Sequence, residues 1–192
     1  MSALVIPQCI SPEELLLLPD AGRYELVCGR LVERKMGAVS DRVAARIISR
    51  LDRHCETEGL GTVLGSETGY RCFSDAPAKV RRPDVSFIAQ SRLQEADLPE
   101  GYLELAPDLA VESVSPHELH YEVEQKVGEY LSAGVQLVWV ANPHHRTVTI
   151  YRQDGSLTRL CGDDEITGEG VIPEFRCSIR EFFPPQKSEP EA

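Results

Sequence analysis

The chain has 192 residues, 42% hydrophobic and 27% charged, a balance that excludes a largely disordered protein and predicts one globular domain over residues 1–183. Its 31 acidic and 20 basic side chains give a net charge of −11, which argues against nonspecific binding to nucleic acids or anionic membranes. The six cysteines form no C-x-x-C pair, and no basic segment followed by a long apolar run opens the chain, so we expect a cytoplasmic protein with reduced thiols.

The N-terminal third of the sequence predicts a short helix, a β-hairpin and a long helix. A Ser-Pro-Glu-Glu start before a leucine run is typical of a capped helical turn. A Cys-Gly pair between two strand-like segments indicates a hairpin turn. In the long helix apolar residues recur at every fourth position, and a glycine follows its last turn. The predicted bounds are Ser11–Leu18, Tyr24–Val27, Arg30–Arg34 and Asp41–Glu58.

Four arginines form a narrow stripe on the long helix, nearly opposite its apolar face. They recur at i, i+4, i+8 and i+11 and are Arg42, Arg46, Arg50 and Arg53. Such a stripe is either a solvated charged face, the commoner case, or a surface that contacts phosphate groups. The acidic net charge argues against phosphate contact, and this objection is met only if basic groups converge on one surface, because phosphate contact requires local rather than overall positive charge.

The rest of the chain predicts three strands, a helix, three further strands and a tail. The order after the hairpin is therefore α-β-β-β-α-β, followed by additional C-terminal strands. We expect residues 163–165 to form an exposed acidic loop, and residues 184–192 to form a disordered tail because they have too few apolar side chains to pack. The predicted bounds are Gly61–Phe73, Pro83–Ile88, Leu109–Val114, Glu118–Ala133, Val135–Ala141, Thr147–Arg152 and Leu157–Leu160.

Two carboxylates occupy unusual positions in these strands. Glu112 lies within a short apolar strand, where a buried ionised carboxylate requires a metal, a base or several hydrogen-bond donors. Asp84 follows Pro83 at the start of the preceding strand, where a plain turn residue is the alternative. Neighbouring strands lie about 4.8 Å apart, so carboxylates at matching heights would hold one divalent cation between them. Ligands that are all oxygen favour Mg²⁺ or Mn²⁺ over zinc.

Five segments occur in a fixed order over residues 11–183: YELVCGRLVE, GYRC followed by RRPDVSFI, LAVESVSP, EQKVGEYLSAGV and LVWVANP. Together they resemble the Uma-two family of restriction-endonuclease-like proteins. The resemblance implies an α/β fold with the restriction-endonuclease-like core of PD-(D/E)XK nucleases. It also implies a Mg²⁺-dependent endonuclease that hydrolyses DNA, acts as a homodimer and binds its metal through Asp84 and Glu112.

The sequence departs from the general nuclease pattern two residues after Glu112, where Val114 replaces lysine. The nearest replacement is Lys126, on the shoulder of the apolar face of the following helix. Lys126 either reaches the site as a catalytic residue or forms an exposed pair with Glu122. Glu25, in the hairpin, matches a family glutamate and either completes the site or anchors a basic residue.

Basic residues near the site would supply the phosphate contacts of such a nuclease. The candidates are Arg42, Arg46, Arg50, Arg81 and Arg82. Glu67 is a third candidate carboxylate, although edge strands commonly expose glutamate to solvent. A nuclease-fold binding or assembly module without catalysis is the main alternative, which Val114 favours. A glycosidase would need a cleft lined with aromatic residues, whereas the single tryptophan, Trp139, lies in a strand predicted to be buried.

Overall fold

The computed structural model describes residues 9–35 and 37–185, and a six-stranded mixed sheet forms its centre. The predicted tail from residue 186 onward lies outside the described residues. The helices are α1 (Pro12–Leu16), α2 (Ala38–Glu58) and α3 (His120–Ser132). The strands are β1 (Tyr24–Val27), β2 (Arg30–Glu33), β3 (Gly61–Gly65), β4 (Val85–Ala89), β5 (Leu109–Ser113), β6 (Leu137–Asn142), β7 (Thr147–Arg152), β8 (Leu157–Cys161), β9 (Glu165–Gly168) and β10 (Ile172–Ser178).

The central sheet has the strand order β3-β4-β5-β6-β7-β8. β5 and β6 are parallel, whereas every other neighbouring pair in this sheet is antiparallel. Parallel neighbours require a crossover connection, and α3 provides it between β5 and β6. The succession α2-β3-β4-β5-α3-β6 is the α-β-β-β-α-β order expected from the sequence. The predicted α/β fold class, with an N-terminal hairpin and additional C-terminal strands, is therefore confirmed.

α2 and α3 cover opposite faces of the sheet. Successive residues of β5 alternate between the faces, so that Leu109 and Val111 pack beneath α2 while Ala110 packs toward α3. The apolar residues predicted for one side of α2 are fully or almost fully buried: Val43, Ile47, Leu51 and Cys55. Because Glu112 follows this alternation, its side chain points toward α3, between the sheet and that helix.

The structure contains a hairpin that the sequence analysis missed. The sequence predicts an exposed loop at Glu165, but this residue begins β9, which pairs with β10. Buried side chains of the hairpin, Ile166 and Phe175, extend the core beside α2, where Phe175 lies against Trp139. The first predicted core strand is also shorter than expected, because β3 ends at Gly65.

The β1–β2 hairpin packs beside the segment that precedes β4. Its turn residues Cys28 (φ 50°) and Gly29 (φ 73°) both adopt left-handed conformations, as a tight hairpin turn requires. Leu26 exchanges backbone hydrogen bonds with Val80, and the neighbouring Glu25 side chain is directed into the protein. The hairpin therefore brings a glutamate to the centre from far along the chain. No helix in the described ranges is long and apolar enough to span a bilayer.

Candidate active site

The register of β4 and β5 brings Asp84 and Glu112 to the same end of their ladder. Val85 on β4 pairs with Val111 on β5. Asp84 immediately precedes Val85, and Glu112 immediately follows Val111. The Asp84 carboxylate reaches across to β5, where its Oδ2 accepts a 2.8 Å hydrogen bond from the backbone N–H of Ser113. The two carboxylates that the sequence singles out therefore lie beside each other at a strand end.

Asp84 is largely enclosed, with a side chain that is 24% exposed. Burial raises the pKa of Asp84, although the Ser113 N–H and the Arg34 guanidinium both favour the ionised form. Arg34 donates a 2.9 Å hydrogen bond from Nη2 to Asp84 Oδ1. A carboxylate with a raised pKa and one cationic partner is a group that additional positive charge would stabilise.

Glu112 is buried, and both of its oxygens accept hydrogen bonds from α3. Oε1 accepts from the hydroxyl of Tyr130 at 2.8 Å, and Oε2 accepts from Nζ of Lys126 at 2.9 Å. Burial raises the pKa of Glu112 to about 7, and repulsion from Asp84 and Glu25 adds to the effect, while Lys126 opposes it. Without a further cation, the carboxyl group is therefore partly protonated near neutral pH.

Lys126 points into the protein, with a side chain that is 15% exposed. Its Nζ lies 2.9 Å from Glu112, 3.3 Å from Glu118 and 4.0 Å from Glu25. Burial lowers the pKa of Lys126, but the three carboxylates raise it further, so the ammonium group stays charged at neutral pH. Of the two arrangements that the sequence allows, the structure has the inward one. The exposed pair with Glu122 is not among the ion pairs of Lys126 in the described residues.

Glu25 both anchors a basic residue and lies beside Lys126. Its Oε2 accepts a 2.8 Å hydrogen bond from Nη1 of Arg81, and its Oε1 accepts a 2.9 Å hydrogen bond from the backbone N–H of Arg82. Burial raises the pKa of Glu25, but the charges of Lys126 and Arg81 outweigh burial and lower it overall. Glu25 is therefore ionised, and Arg81 links it to Glu129 on α3 through a 2.7 Å bond from Nε.

Arg81 and Arg82, two of the predicted phosphate contacts, are 5% and 4% exposed. The Arg81 guanidinium lies between two carboxylates, and Arg82 donates to the backbone carbonyls of Tyr24 and Glu67. Arg81 thus connects the β1–β2 hairpin to α3, and Arg82 connects the hairpin to the loop after β3. Their burial leaves neither guanidinium at the surface for contact with a phosphate.

The arginine stripe on α2 divides into two parts. Arg46 donates a 2.8 Å hydrogen bond to the carbonyl of Phe183, and Arg50 donates a 2.9 Å hydrogen bond to the carboxylate of Glu181. These two arginines fasten α2 to the C-terminal segment. Arg42 and Arg53 are exposed on the same helix. The stripe is therefore partly structural, and its exposed members are the ones in position to meet a ligand.

Two cavities flank the carboxylates. The larger cavity, of about 560 Å³, lies between the first turns of α2 and the loops after β2 and β3, and Asp84, Ser113 and the exposed Glu67 line it. The smaller cavity, of about 180 Å³, lies between the β1–β2 hairpin and α3, and Glu25 and Lys126 line it. The larger cavity falls within the about 300–1,000 Å³ range of small-ligand sites.

The donor set at the strand end fits a hard divalent cation. Asp84 and Glu112 offer only oxygen ligands, and burial raises the pKa of both, so that a bound cation would favour their ionised forms. Mg²⁺ is commonly held by one or two carboxylates together with waters and substrate phosphates. Among residues 9–35 and 37–185, no three Asp, Glu, His or Cys side chains converge on a metal position. The donor set thus fits a cation that shares its coordination with substrate.

Two residues of this centre, Arg34 and Glu118, are not among the site residues predicted from the sequence. Arg34 ends the predicted hairpin, and nothing in the local pattern indicates its contact with Asp84. Glu118 has a local signal, because a serine three residues before a glutamate is typical of a capping box. The backbone N–H of Ser115 does donate to Glu118 Oε2 at 3.3 Å, while the other oxygen lies near Lys126. The capping role explains the spacing of Ser115 and Glu118, so this spacing alone does not indicate the contact of Glu118 with Lys126.

Comparisons with known proteins give one family and one fold. Residues 12–180 match the model of the Uma2 family, described as "Putative restriction endonuclease". The chain is also similar to the crystal structure of "a putative nuclease belonging to DUF820" from Anabaena variabilis, with a TM-score of 0.77 and 21% sequence identity over 91% of this chain and 97% of that one. At this identity the likeness supports the fold alone. No curated protein matches the chain.

Proposed function

We propose, because the chain belongs to the Uma2 family, that the protein is a metal-dependent endonuclease that hydrolyses DNA phosphodiester bonds. The observation that carries the proposal is the convergence of Asp84, Glu112 and Lys126 at one end of the β4–β5 ladder. Carboxylates on adjacent strands can hold the cation of metal-assisted phosphodiester hydrolysis, and an ammonium group beside them can stabilise the negative charge that develops. We infer that the larger cavity receives the substrate.

Asp84 and Glu112 are the residues that would hold the divalent cation, Mg²⁺ or Mn²⁺. When bound, such a cation polarises the phosphoryl group and lowers the pKa of a coordinated water. The protein fixes the two carboxylates beforehand. The Ser113 N–H holds Oδ2 of Asp84, and the Tyr130 hydroxyl holds Oε1 of Glu112. Less conformational freedom is therefore lost when the substrate binds.

Lys126 supplies positive charge next to the carboxylates. In hydrolysis the water oxygen bonds to phosphorus while the bond from phosphorus to the leaving ester oxygen breaks, and the leaving oxygen takes up a proton. Nζ of Lys126 has three N–H donors, and Glu112 and Glu118 lie 2.9 and 3.3 Å away. We assign the remaining donor to the attacking water or to a phosphoryl oxygen, where negative charge develops.

Basic residues line the larger cavity although the protein as a whole has a net charge of −11. Three basic residues line this cavity, and each is paired with an acidic side chain: Arg23 with Glu33, Arg34 with Asp84, and Lys35 with Glu122. A phosphate that enters must replace a carboxylate as the partner of these groups. We therefore expect weak binding to DNA that depends on the bound metal. A homodimer that cuts both strands belongs to the same proposal.

The second candidate function is a binding or assembly module that uses the nuclease fold without catalysis. The pairing at the centre favours it, since Asp84 is already paired with Arg34 and Glu112 is already paired with Lys126. Val114, where the general nuclease pattern has lysine, favours it as well. Metal-dependent cleavage distinguishes the two functions.

The proposal is tested by incubating the purified protein with plasmid and linear DNA in Mg²⁺, Mn²⁺ or EDTA. We expect nicked or linear products with either metal and none in EDTA. Asp84→Asn should abolish cleavage. Asp108→Asn is the matched control, because Asp108 is also buried beside β5 and paired with an arginine, but lies at the opposite end of the strand. Wild-type protein that leaves DNA intact with both metals would support the binding module instead.

A further inference from the structure

Arg34 places its guanidinium on the carboxylate proposed to bind metal. Nη2 lies 2.9 Å from Oδ1 of Asp84, and Nη1 donates to the backbone carbonyls of Ser66 at 3.1 Å and Gly22 at 3.4 Å. The side chain is 14% exposed and borders both cavities. Three acceptors from separate segments therefore hold one guanidinium at the entrance to the carboxylate pair.

The contact bears directly on metal binding, because both oxygens of Asp84 already accept a hydrogen bond. Oδ2 accepts from the backbone N–H of Ser113, the last residue of β5, whereas Oδ1 accepts from a side chain that can move. A Mg²⁺ ion binds a carboxylate oxygen at about 2.0–2.1 Å. An ion on Oδ1 would then lie within about 5 Å of the Arg34 guanidinium, close enough for strong repulsion in a partly buried site.

We propose that Arg34 is the internal counter-ion of Asp84, that a divalent cation displaces it, and that the displaced guanidinium then binds the substrate phosphate in the larger cavity. This proposal rests on the proposed function and adds a residue to it. Arginine suits both positions because its planar fork of N–H donors matches carboxylate and phosphate geometry alike. Because the guanidinium does not lose its proton in proteins, a rise in pH does not release it, and a competing cation is required.

Metal affinity, measured without nucleic acid, tests the first step. Mn²⁺ is titrated by calorimetry at pH 8 into wild type, Arg34→Gln and Arg92→Gln. Arg92 is the matched control because it pairs with a buried carboxylate, Asp108, at 2.7 Å but at the other end of β5. We expect Arg34→Gln to bind Mn²⁺ about tenfold tighter than wild type, the effect of removing one charged hydrogen bond from the ligand. Arg92→Gln should bind like wild type.

Arg34→Lys keeps the positive charge and provides a second test if Arg34→Gln does not fold. Lysine lacks the fork that spans Asp84 and Ser66, so its Mn²⁺ affinity should fall between those of wild type and Arg34→Gln. In Ca²⁺, binding of a short DNA duplex should weaken in Arg34→Gln, and its salt dependence should flatten by a slope of about 0.9, the value for one lost phosphate contact.

The outcomes separate this proposal from the proposed function. Equal Mn²⁺ affinity in wild type and Arg34→Gln would overturn the displacement of Arg34 and leave the metal centre intact. If Arg34→Gln binds Mn²⁺ and the wild type does not, the result gives the strongest support to the displacement of Arg34 by metal. If neither protein binds Mn²⁺ in the millimolar range, both the metal centre and the role of Arg34 fail. Unchanged DNA affinity and salt slope would remove the phosphate contact from the proposal.

Discussion

Nζ of Lys126 lies 2.9 Å from Oε2 of Glu112. The lysine belongs to α3 and the glutamate to β5, so the contact joins a helix to a strand. In the general nuclease pattern the lysine follows the glutamate on the same strand, at the position that Val114 occupies. Val114 packs against the core between the sheet and α3. The ammonium group therefore reaches Glu112 from the helix that crosses over this face of the sheet, and the strand position is free to be apolar.

We expect Lys126→Met to reduce DNA cleavage by orders of magnitude, because the variant keeps the shape of the side chain and loses its charge. The variant should also be destabilised by about 3–5 kcal/mol, since Glu112 and Glu25 lose a buried counter-charge. Turnover is therefore measured per folded molecule. Lys79→Met is the control, because Lys79 is similarly buried and paired with Glu129 but lines neither cavity. Full cleavage by Lys126→Met would exclude a catalytic role.

The fold was accessible from the sequence wherever a periodic pattern is local. The apolar residues of α2 recur at helical spacing and are buried, and β4 and β5 are short, mostly apolar runs that are also buried. The β9–β10 hairpin carries no comparable signal. β9 has only four residues and begins with an exposed glutamate. Its stability comes from packing Ile166 and Phe175 against the core, which no local pattern reports.

The candidate site was accessible only in part, for the same reason. Asp84 and Glu112 are conspicuous because carboxylates rarely belong to apolar strands, and the helical period places Lys126 at the edge of a buried face. Arg34 lies 50 positions from Asp84, so their contact depends on how the hairpin docks. Arg81 precedes a strand, where a basic residue usually reaches solvent, but the buried Glu25 holds it inside. Long-range ion pairs leave no periodic trace in a sequence.

The exposed part of the arginine stripe provides a test of DNA binding. Replacing Arg42 and Arg53 by glutamine should weaken binding to every DNA sequence and flatten its salt dependence by a slope of about 0.9 per lost contact. The melting temperature should not change, because both side chains are exposed. Fluorescence anisotropy at several salt concentrations measures the slope. An unaltered slope would identify the stripe as solvated surface. Arg46 and Arg50 are kept, since they fasten the C-terminal segment.

Arg81→Met should destabilise the protein by about 3–5 kcal/mol, because Glu25 and Glu129 would be left in the interior without their shared partner. Denaturant unfolding, followed by the fluorescence of the buried Trp139, measures this change. The salt dependence of DNA binding should stay as in wild type, since Arg81 is not at the surface. A stable Arg81→Met with a reduced salt slope would instead assign Arg81 to phosphate contact.

Glu112→Gln tests the carboxylate pair through the pH dependence of stability. Burial raises the pKa of Glu112 from its ordinary value of 4.5 to about 7. The folded protein thus binds this proton more tightly than the unfolded chain, and the resulting stabilisation is complete below about pH 4.5 and lost as the pH rises through 7. Glutamine does not titrate. In EDTA, Glu112→Gln should therefore gain stability relative to wild type between about pH 5 and 8, by on the order of 3 kcal/mol.

A divalent cation should reduce the advantage of Glu112→Gln, because it binds most tightly to the protein that has both carboxylates. With a dissociation constant of about 1 mM, 10 mM Mg²⁺ would stabilise the wild type by about 1.4 kcal/mol, or roughly 2–4 °C in melting temperature. Glu112→Gln should lose most of this gain. Glu129→Gln is the control of opposite sign: burial raises the pKa of Glu129, but Arg81 outweighs burial and lowers it overall, so the ionised Glu129 stabilises the wild type in full above about pH 4.5. Glu129→Gln should therefore be less stable than wild type by a constant amount from about pH 5 to 8.5, and it should keep its response to metal. Thermal melts from pH 5 to 8.5 in EDTA, Mg²⁺ and Mn²⁺ measure all three proteins. Identical metal responses in wild type and Glu112→Gln would show that Glu112 is not a ligand, and its burial beside Lys126 would then be a purely structural ion pair.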